Sequence, residues 1–154
     1  MASPAATLDD LVRRAQARPR IRVAVVAADQ SIVLQSVKQA EMAGLIEPRL
    51  IGDRDAILAI ADKNGIEIDR SAIIGTTGDA EAARFGVDLV RNGNADTVMK
   101  GQIHTDVLMR ALLDTERGLR LPGRRVSHVF MIDVPTYPKL FLSLIHISEP
   151  TRPY

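Results

Sequence analysis

The chain has no cysteine and no tryptophan, and aromatic residues make up only 3% of its 154 positions. Without cysteine there is no disulfide, no thiolate nucleophile and no cysteine-ligated metal. So few rings leave little from which to build a base-stacking platform for single-stranded nucleic acid. A surplus of one charge is missing too. Twenty basic residues face 19 acidic ones, a net charge of +1, which gives no electrostatic footprint for nucleic acid. No apolar run approaches the roughly 20 residues that a membrane-spanning helix needs. The first residues place Asp9 and Asp10 ahead of the arginines and hold no apolar stretch of the secretory kind. These absences lead to the expectation of a cytoplasmic protein with no nucleic-acid partner, no membrane partner and no metal site.

Hydrophobic residues make up 46% of the chain and charged residues 25%, a balance that suits a globular domain with a sizeable core. Thr7-Leu-Asp-Asp10 reads as a capping box, followed by Leu8, Leu11, Val12 and Ala15 at helical spacing. Arg18-Pro19-Arg20 ends that helix, and residues 1–20 are expected to form an N-terminal helix and linker. Arg22–Ala28 is a continuous β-branched and alanine run, the mark of a strand covered on both faces. Asp29 is the expected N-cap of a helix that Gly44 closes. The alternation continues with a strand at Pro48–Ile51, a helix from Asp53 to Asn64 closed by Gly65, and a short strand at Ala72–Ile74. A helix at Asp79–Arg91, a strand at Ala95–Met99, a helix from His104 to about Leu113 and a strand at Val126–Val134 complete the series. Strands alternating with helices, without hairpin signals, predict βαβ units. The expected fold is therefore α/β, a doubly wound, mostly parallel sheet flanked by helices.

One stretch carries most of the chemistry. Ala95-Asp-Thr-Val-Met-Lys-Gly-Gln-Ile-His-Thr105 runs apolar and then turns into Lys100, Gly101, His104 and Thr105. It reads as a buried strand delivering a cation, a flexible backbone and polar groups to one sheet edge, where open α/β sheets bind ligands. Lys100 is either a phosphate-binding point charge or a solvated residue at a strand end, with Gly101 permitting close backbone approach or merely turning the chain. His104 and Thr105 open a helix, whose first-turn N–H groups favour an anion; plain capping by Thr105, with Asp106 complementing the dipole, is the other reading. Arg110 is either an exposed helix residue or a bidentate clamp for a phosphoryl group. Ser127 and His128 are neighbours on a strand and point to opposite faces, which excludes a Ser–His catalytic couple. Gly75-Thr-Thr-Gly78 reads as a turn, and Arg124-Arg125 as a solvated basic loop.

The Met99-Lys100-Gly101…His104-Thr105…Arg110-Ala111 spacing and the Ser127-His-Val-Phe…Asp133-Val-Pro135 strand resemble the phosphate acetyl/butyryltransferase family. The likeness covers most of Arg20–Leu142 and is densest from Ala95 onward. It implies an enzyme that moves an acyl group reversibly between coenzyme A and inorganic phosphate, on a fold of two α/β parts facing a cleft. The implied partners are acyl-CoA and phosphate or acyl phosphate, with coenzyme A as substrate, no cofactor and a homo-oligomeric assembly. The implied substrate-binding residues are Lys100, Gly101, His104, Thr105, Arg110 and Ser127. The family's main catalytic groups are expected outside this chain, which would leave it an inactive fragment. A non-catalytic α/β module that binds a small ligand is the competing reading, because fold does not fix function.

From Ser143 the string Ser-Leu-Ile-His-Ile-Ser-Glu-Pro-Thr-Arg152 resembles the translation of a sequencing adapter. Residues 21–142 are accordingly expected to be the domain proper, and 143–154 a non-native tail without coherent packing.

Overall fold

A computed structural model of the protein describes residues 7–124 and 126–147. The chain divides into two compact units, one spanning Pro19–Leu119 and the other made from residues 1–18 and 120–154.

The first unit is built on β1 (Ile21–Val26), β2 (Ile46–Gly52), β3 (Ile73–Gly75) and β4 (Thr97–Lys100). These pair in the order β3-β2-β1-β4, every neighbour parallel. Its helices are α2 (Ser31–Met42), α3 (Arg54–Asn64), α4 (Asp79–Arg91) and α5 (Thr105–Leu113). Strand alternation sorts the core. Val23 and Val25 of β1 face Val33, Leu34 and Val37 of α2 and Ile57 and Ala61 of α3. Ala24 and Val26 face the other way, onto Ala82 and Ala83 of α4 and Leu108 of α5. The sheet is thus covered on both faces, as the apolar run of β1 predicts. The α4 helix lies especially close. A Cβ on Gly86 would stand 2.5 Å from Val26 Cγ2, so only glycine lets the helix settle there without displacing the strand's side chain.

Local signals explain most of the boundaries. Asp53 caps α3 by accepting from the N–H groups of Asp55 and Ala56, both at 3.0 Å. Gly65, left-handed at φ 62°, closes that helix. The expected cap at Asp29 is not made. The N-cap of α2 is Gln30, which places no side chain on the helix N–H groups. The β4 strand also differs from the buried strand expected, because it is one of the two edge strands of the sheet, with Val98 and Met99 only half-buried.

Val126–Ile132 (β5) does not extend the parallel sheet but pairs antiparallel with Phe141–Ile147 (β6), a hairpin that no turn motif signalled. The register runs unbroken from Val126–Ile147 to Ile132–Phe141. Ser143–Ile147 therefore continue a strand, contrary to the expectation of an incoherent tail; residues 148–154 lie outside the described residues. In the same unit α1 (Leu8–Gln16) starts with the expected capping box at Thr7 and Asp10. The Leu8 N–H donates to Asp133 Oδ2 at 2.9 Å, tying α1 to the segment after β5.

Candidate functional site

The strand order makes β1 the branch point of the sheet. From β1 the chain leaves through α2 toward β2, while β4 lies on the other side and leads into α5. Such a switch point, beyond the carboxyl ends of the strands, is where doubly wound sheets hold ligands. Two helices begin there, α2 after β1 and α5 after β4. Neither N-cap, Gln30 or His104, places a side chain on its helix N–H groups. Each helix start thus keeps donors and a positive dipole end for an anion.

Lys100 is the last residue of β4 and pairs in register with Val26. The chain then passes across the end of β1. The Gly101 N–H donates to Val26 O at 2.8 Å, and the Gln102 N–H to Ala27 O at 3.0 Å. This approach is so close that a Cβ on Gly101 would stand 2.2 Å from Ala27 O and 2.5 Å from Val26 O. Glycine is therefore required by contact rather than by a left-handed backbone. Ala27 itself holds φ 55°, an unfavourable conformation for a residue with a Cβ. Ile103, 4% exposed, anchors the turn into the α4–α5 core. Lys100, His104 and Thr105 stay exposed at the sheet edge.

Four of the six expected site residues are thus gathered by one short turn: Lys100, Gly101, His104 and Thr105. Thr105 is the first residue inside α5, and His104 holds the N-cap position. Arg110 lies further along α5 and projects into solvent, with its Nη2 3.8 Å from Asp106 Oδ2 and the two side chains 82% and 70% exposed. Its ion-pair partner is Asp106 of the same helix, not a residue of the Lys100 turn. Ser127 stands on β5, exposed, in the other unit. The His128 ring lies 4.2 Å from that of Phe130, tilted by 43°, two residues along the same strand face. Arg125 lies outside the described residues.

A second feature of this edge escapes sequence reasoning. Beyond the ends of β1, β2 and β3 lies a cleft of about 580 Å³ lined by Ala27, Asp29, Gly52, Arg54, Thr76, Asp79 and their neighbours. Gly75-Thr-Thr-Gly78, read as a turn, forms part of its wall. The turn is real: Glu81 accepts from the Thr77 N–H at 2.6 Å and from its hydroxyl at 2.8 Å. Those two donors hold the Glu81 carboxyl below its ordinary pKa. Thr76, by contrast, is 8% exposed, and its Oγ1 has no hydrogen-bond partner. The only trace in the sequence is a threonine between a strand and a glycine-capped helix. Among the described residues no group of three or more His, Asp or Glu side chains is placed to hold a metal ion.

No protein-family model matches the chain. It is 32% identical over 147 residues to the phosphate butyryltransferase of Clostridium acetobutylicum, covering 96% of this chain and 48% of that protein. It is 36% identical over 134 residues to the phosphate acetyltransferase of Rickettsia felis, covering 86% of this chain and 38% of that protein. Among solved structures, a branched-chain phosphotransacylase from Enterococcus faecalis superposes with a TM-score of 0.60 at 27% identity, over 80% of this chain and 42% of the other. A phosphotransacetylase from Streptococcus pyogenes shares the fold at TM-score 0.69 and 19% identity, over 88% and 50% of the two chains. The chain spans less than half the length of these sequence relatives. By sequence likeness and fold together, the chain is similar to part of the phosphate acetyl/butyryltransferases.

Proposed function

We propose that this segment serves a phosphate acyltransferase of the acetyl or butyryl type, and that it supplies the phosphate side of the site. In the reaction, the coenzyme A thiolate attacks the carbonyl carbon of an acyl phosphate. A carbon–sulfur bond forms, the carbon–oxygen bond to phosphate breaks, and phosphate departs with the electron pair. The reverse direction makes acyl phosphate from acyl-CoA and phosphate. No covalent bond to the protein is needed, which suits a chain without cysteine.

The observation that carries this reading is the Lys100–Thr105 turn at the switch point of the sheet, beside two helix starts without side-chain caps. Lys100 offers a point charge, and the first N–H groups of α5 offer donors, both aimed at charge on phosphate. Gly101 keeps the backbone low enough for the turn to form. His104 and Thr105 add side-chain hydrogen bonds. Arg110 takes part by leaving its exposed pairing with Asp106, a contact of the kind worth little in water. Ser127 is proposed as a substrate contact on family likeness alone. The remaining catalytic groups are assigned to a part of the family's length that this chain does not span, so the chain by itself is inactive. Coenzyme A is a substrate rather than a resident cofactor; a cytoplasmic site of action and a homo-oligomer are part of the same proposal.

The test is acyl phosphate formation from acetyl-CoA or butyryl-CoA and phosphate, with free thiol release as the readout. This chain is expected to show none. A protein of the relatives' full length carrying this segment is expected to turn over, with Lys100→Ala lowering kcat/KM about 100-fold, the scale for one transition-state donor. Turnover by the short chain would overturn the inactive-fragment claim. An unaffected Lys100→Ala variant would remove the phosphate role of the turn.

A further inference from the structure

The strand that carries Lys100 is held on one side only. Within the four-stranded sheet β4 pairs with β1 alone, over four residues, and its Val98 and Met99 are half-buried. The β1–β2 pair, by contrast, has Val25, Leu50 and Ile51 fully in the core. Buried side chains are what specify strand register, so β4 specifies its own weakly. A slip of one residue would turn Lys100 to the opposite face, and a slip of two would carry it about 6–7 Å along the sheet. Slip would also unseat the turn beyond the strand. Any residue other than Gly101 at that crossing would set a Cβ where 2.2 Å separates it from Ala27 O and 2.5 Å from Val26 O. The register of β4 and the seat of the Lys100–Thr105 turn are therefore one event.

Arg22 and Asp96 secure the other end of the strand. Their main chains and the carboxylate meet twice, the Arg22 N–H donating to Asp96 Oδ2 at 2.7 Å and the Asp96 N–H to Arg22 O at 2.8 Å. The guanidinium then spans the carboxylate, Nε to Oδ2 at 3.1 Å and Nη2 to Oδ1 at 2.7 Å, while Nη1 donates to Gly93 O at 2.7 Å. One residue of β1 thus gathers the segment 93–96 immediately before β4 begins. With Arg22 and Asp96 38% and 43% exposed, the charge pair itself adds little stability. Its planar, two-pronged geometry is exacting, however, and admits one register. Asp96 stands four residues before Lys100, about 13 Å of strand, too far to touch an anion at the turn. We propose that Arg22 and Asp96 are positioning residues for the phosphate site, fixing the register of β4 and through it the place of Lys100 and the seat of Gly101. This role rests on the phosphate reading of the Lys100 turn.

The experiment titrates the full chain with inorganic phosphate, read from the native amide signals of residues 101–106, in the wild type, Lys100→Ala, Arg22→Met, Asp96→Asn and the Arg22→Met/Asp96→Asn double variant. Each single change at the clamp should raise the Kd about threefold to fivefold, the scale of one exposed ion pair, and the double variant no further, because the two residues act as one unit. Native signals report the folded form only, so a general loss of stability does not move this readout. A direct field effect is separated as well. Arg22→Met removes a positive charge and Asp96→Asn a negative one, so their fields would shift affinity in opposite directions, whereas lost register weakens both. Hydrogen exchange at the Gly101 and Gln102 amides should quicken at least fivefold in either variant while β2 stays protected, as local opening requires. Asp96→Asn keeps the side-chain size and decides the matter if Arg22→Met does not fold. Unchanged affinity in both clamp variants, beside lost binding in Lys100→Ala, would overturn the positioning role and leave the phosphate reading standing. A wild-type chain without saturable shifts would remove the phosphate reading and this role with it. Opposite shifts in the two single variants, or exchange quickened equally across the sheet, would also overturn the role.

Discussion

Gly101 is fixed by the carbonyl oxygens opposite it. Because the atoms a Cβ would strike at 2.2 and 2.5 Å belong to backbone rather than to a movable side chain, Gly101→Ala has to push the turn away from β1. A loss of about 1–3 kcal/mol is expected, the range for inserted core atoms without room, and a lowered urea midpoint with unchanged slope checks it. The same substitution should disturb phosphate binding at the turn. At the opposite end of the strands, Asp96 meets Arg22 through two bonds of 2.7 and 3.1 Å to the guanidinium and one of 2.7 Å to the Arg22 N–H. These donors hold the Asp96 carboxyl down from 3.8 to about 2. A lowered pKa means that the native state favours the charged form, so the stabilisation is complete above about pH 4 and lost as pH falls toward 2. Urea midpoints of the wild type and Asp96→Asn should therefore differ at pH 6 and converge near pH 2; a gap that persists at pH 2 would show that charge is not its source.

Elements were legible wherever a residue type performs one physical task. Asp53 as N-cap, Gly65 as left-handed C-cap, Thr7 with Asp10 as capping box and the β-branched run of β1 all fold as their chemistry dictates. Asp53→Ala should remove the cap of α3 and cost about 1 kcal/mol, seen as a lower melting temperature; no change would mean that packing of Ile57 and Ala61 alone sets the helix start. The illegible parts depend on distant partners. Nothing near Asp29 reveals that it leaves the capping role and lines a cleft instead. The apolar stretch 126–134 carries no mark that it joins a hairpin rather than the parallel sheet. Apolar runs specify burial, not the strand beside which they are buried. The candidate site divides in the same way. Lys100, Gly101, His104 and Thr105 are neighbours in sequence and so were readable together, whereas the orphaned Thr76 hydroxyl and the strained Ala27 backbone exist only in the folded chain.

At the scale of the whole molecule, the hairpin stands out because it is apolar on both faces yet exposed. Val129, Phe130, Met131 and Ile132 are each 45–48% accessible, and Leu142 and Leu144 are 60% and 56%. A two-stranded hairpin is marginally stable alone, and open apolar strands favour association. Removing residues 143–154 takes away most of β6 but no strand of the four-stranded sheet, so the melting temperature of the chain should hold or rise. A fall of several degrees would identify the tail as a native part of the structure. The central claim is that the turn after β4 holds phosphate, and titration of the chain with inorganic phosphate tests it most directly, with the amide signals of Gly101–Asp106 as the readout. The account predicts saturable shifts confined to that turn and the start of α2, abolished by Lys100→Ala and screened by salt. Shifts absent there, or identical in the Lys100→Ala variant, would contradict it.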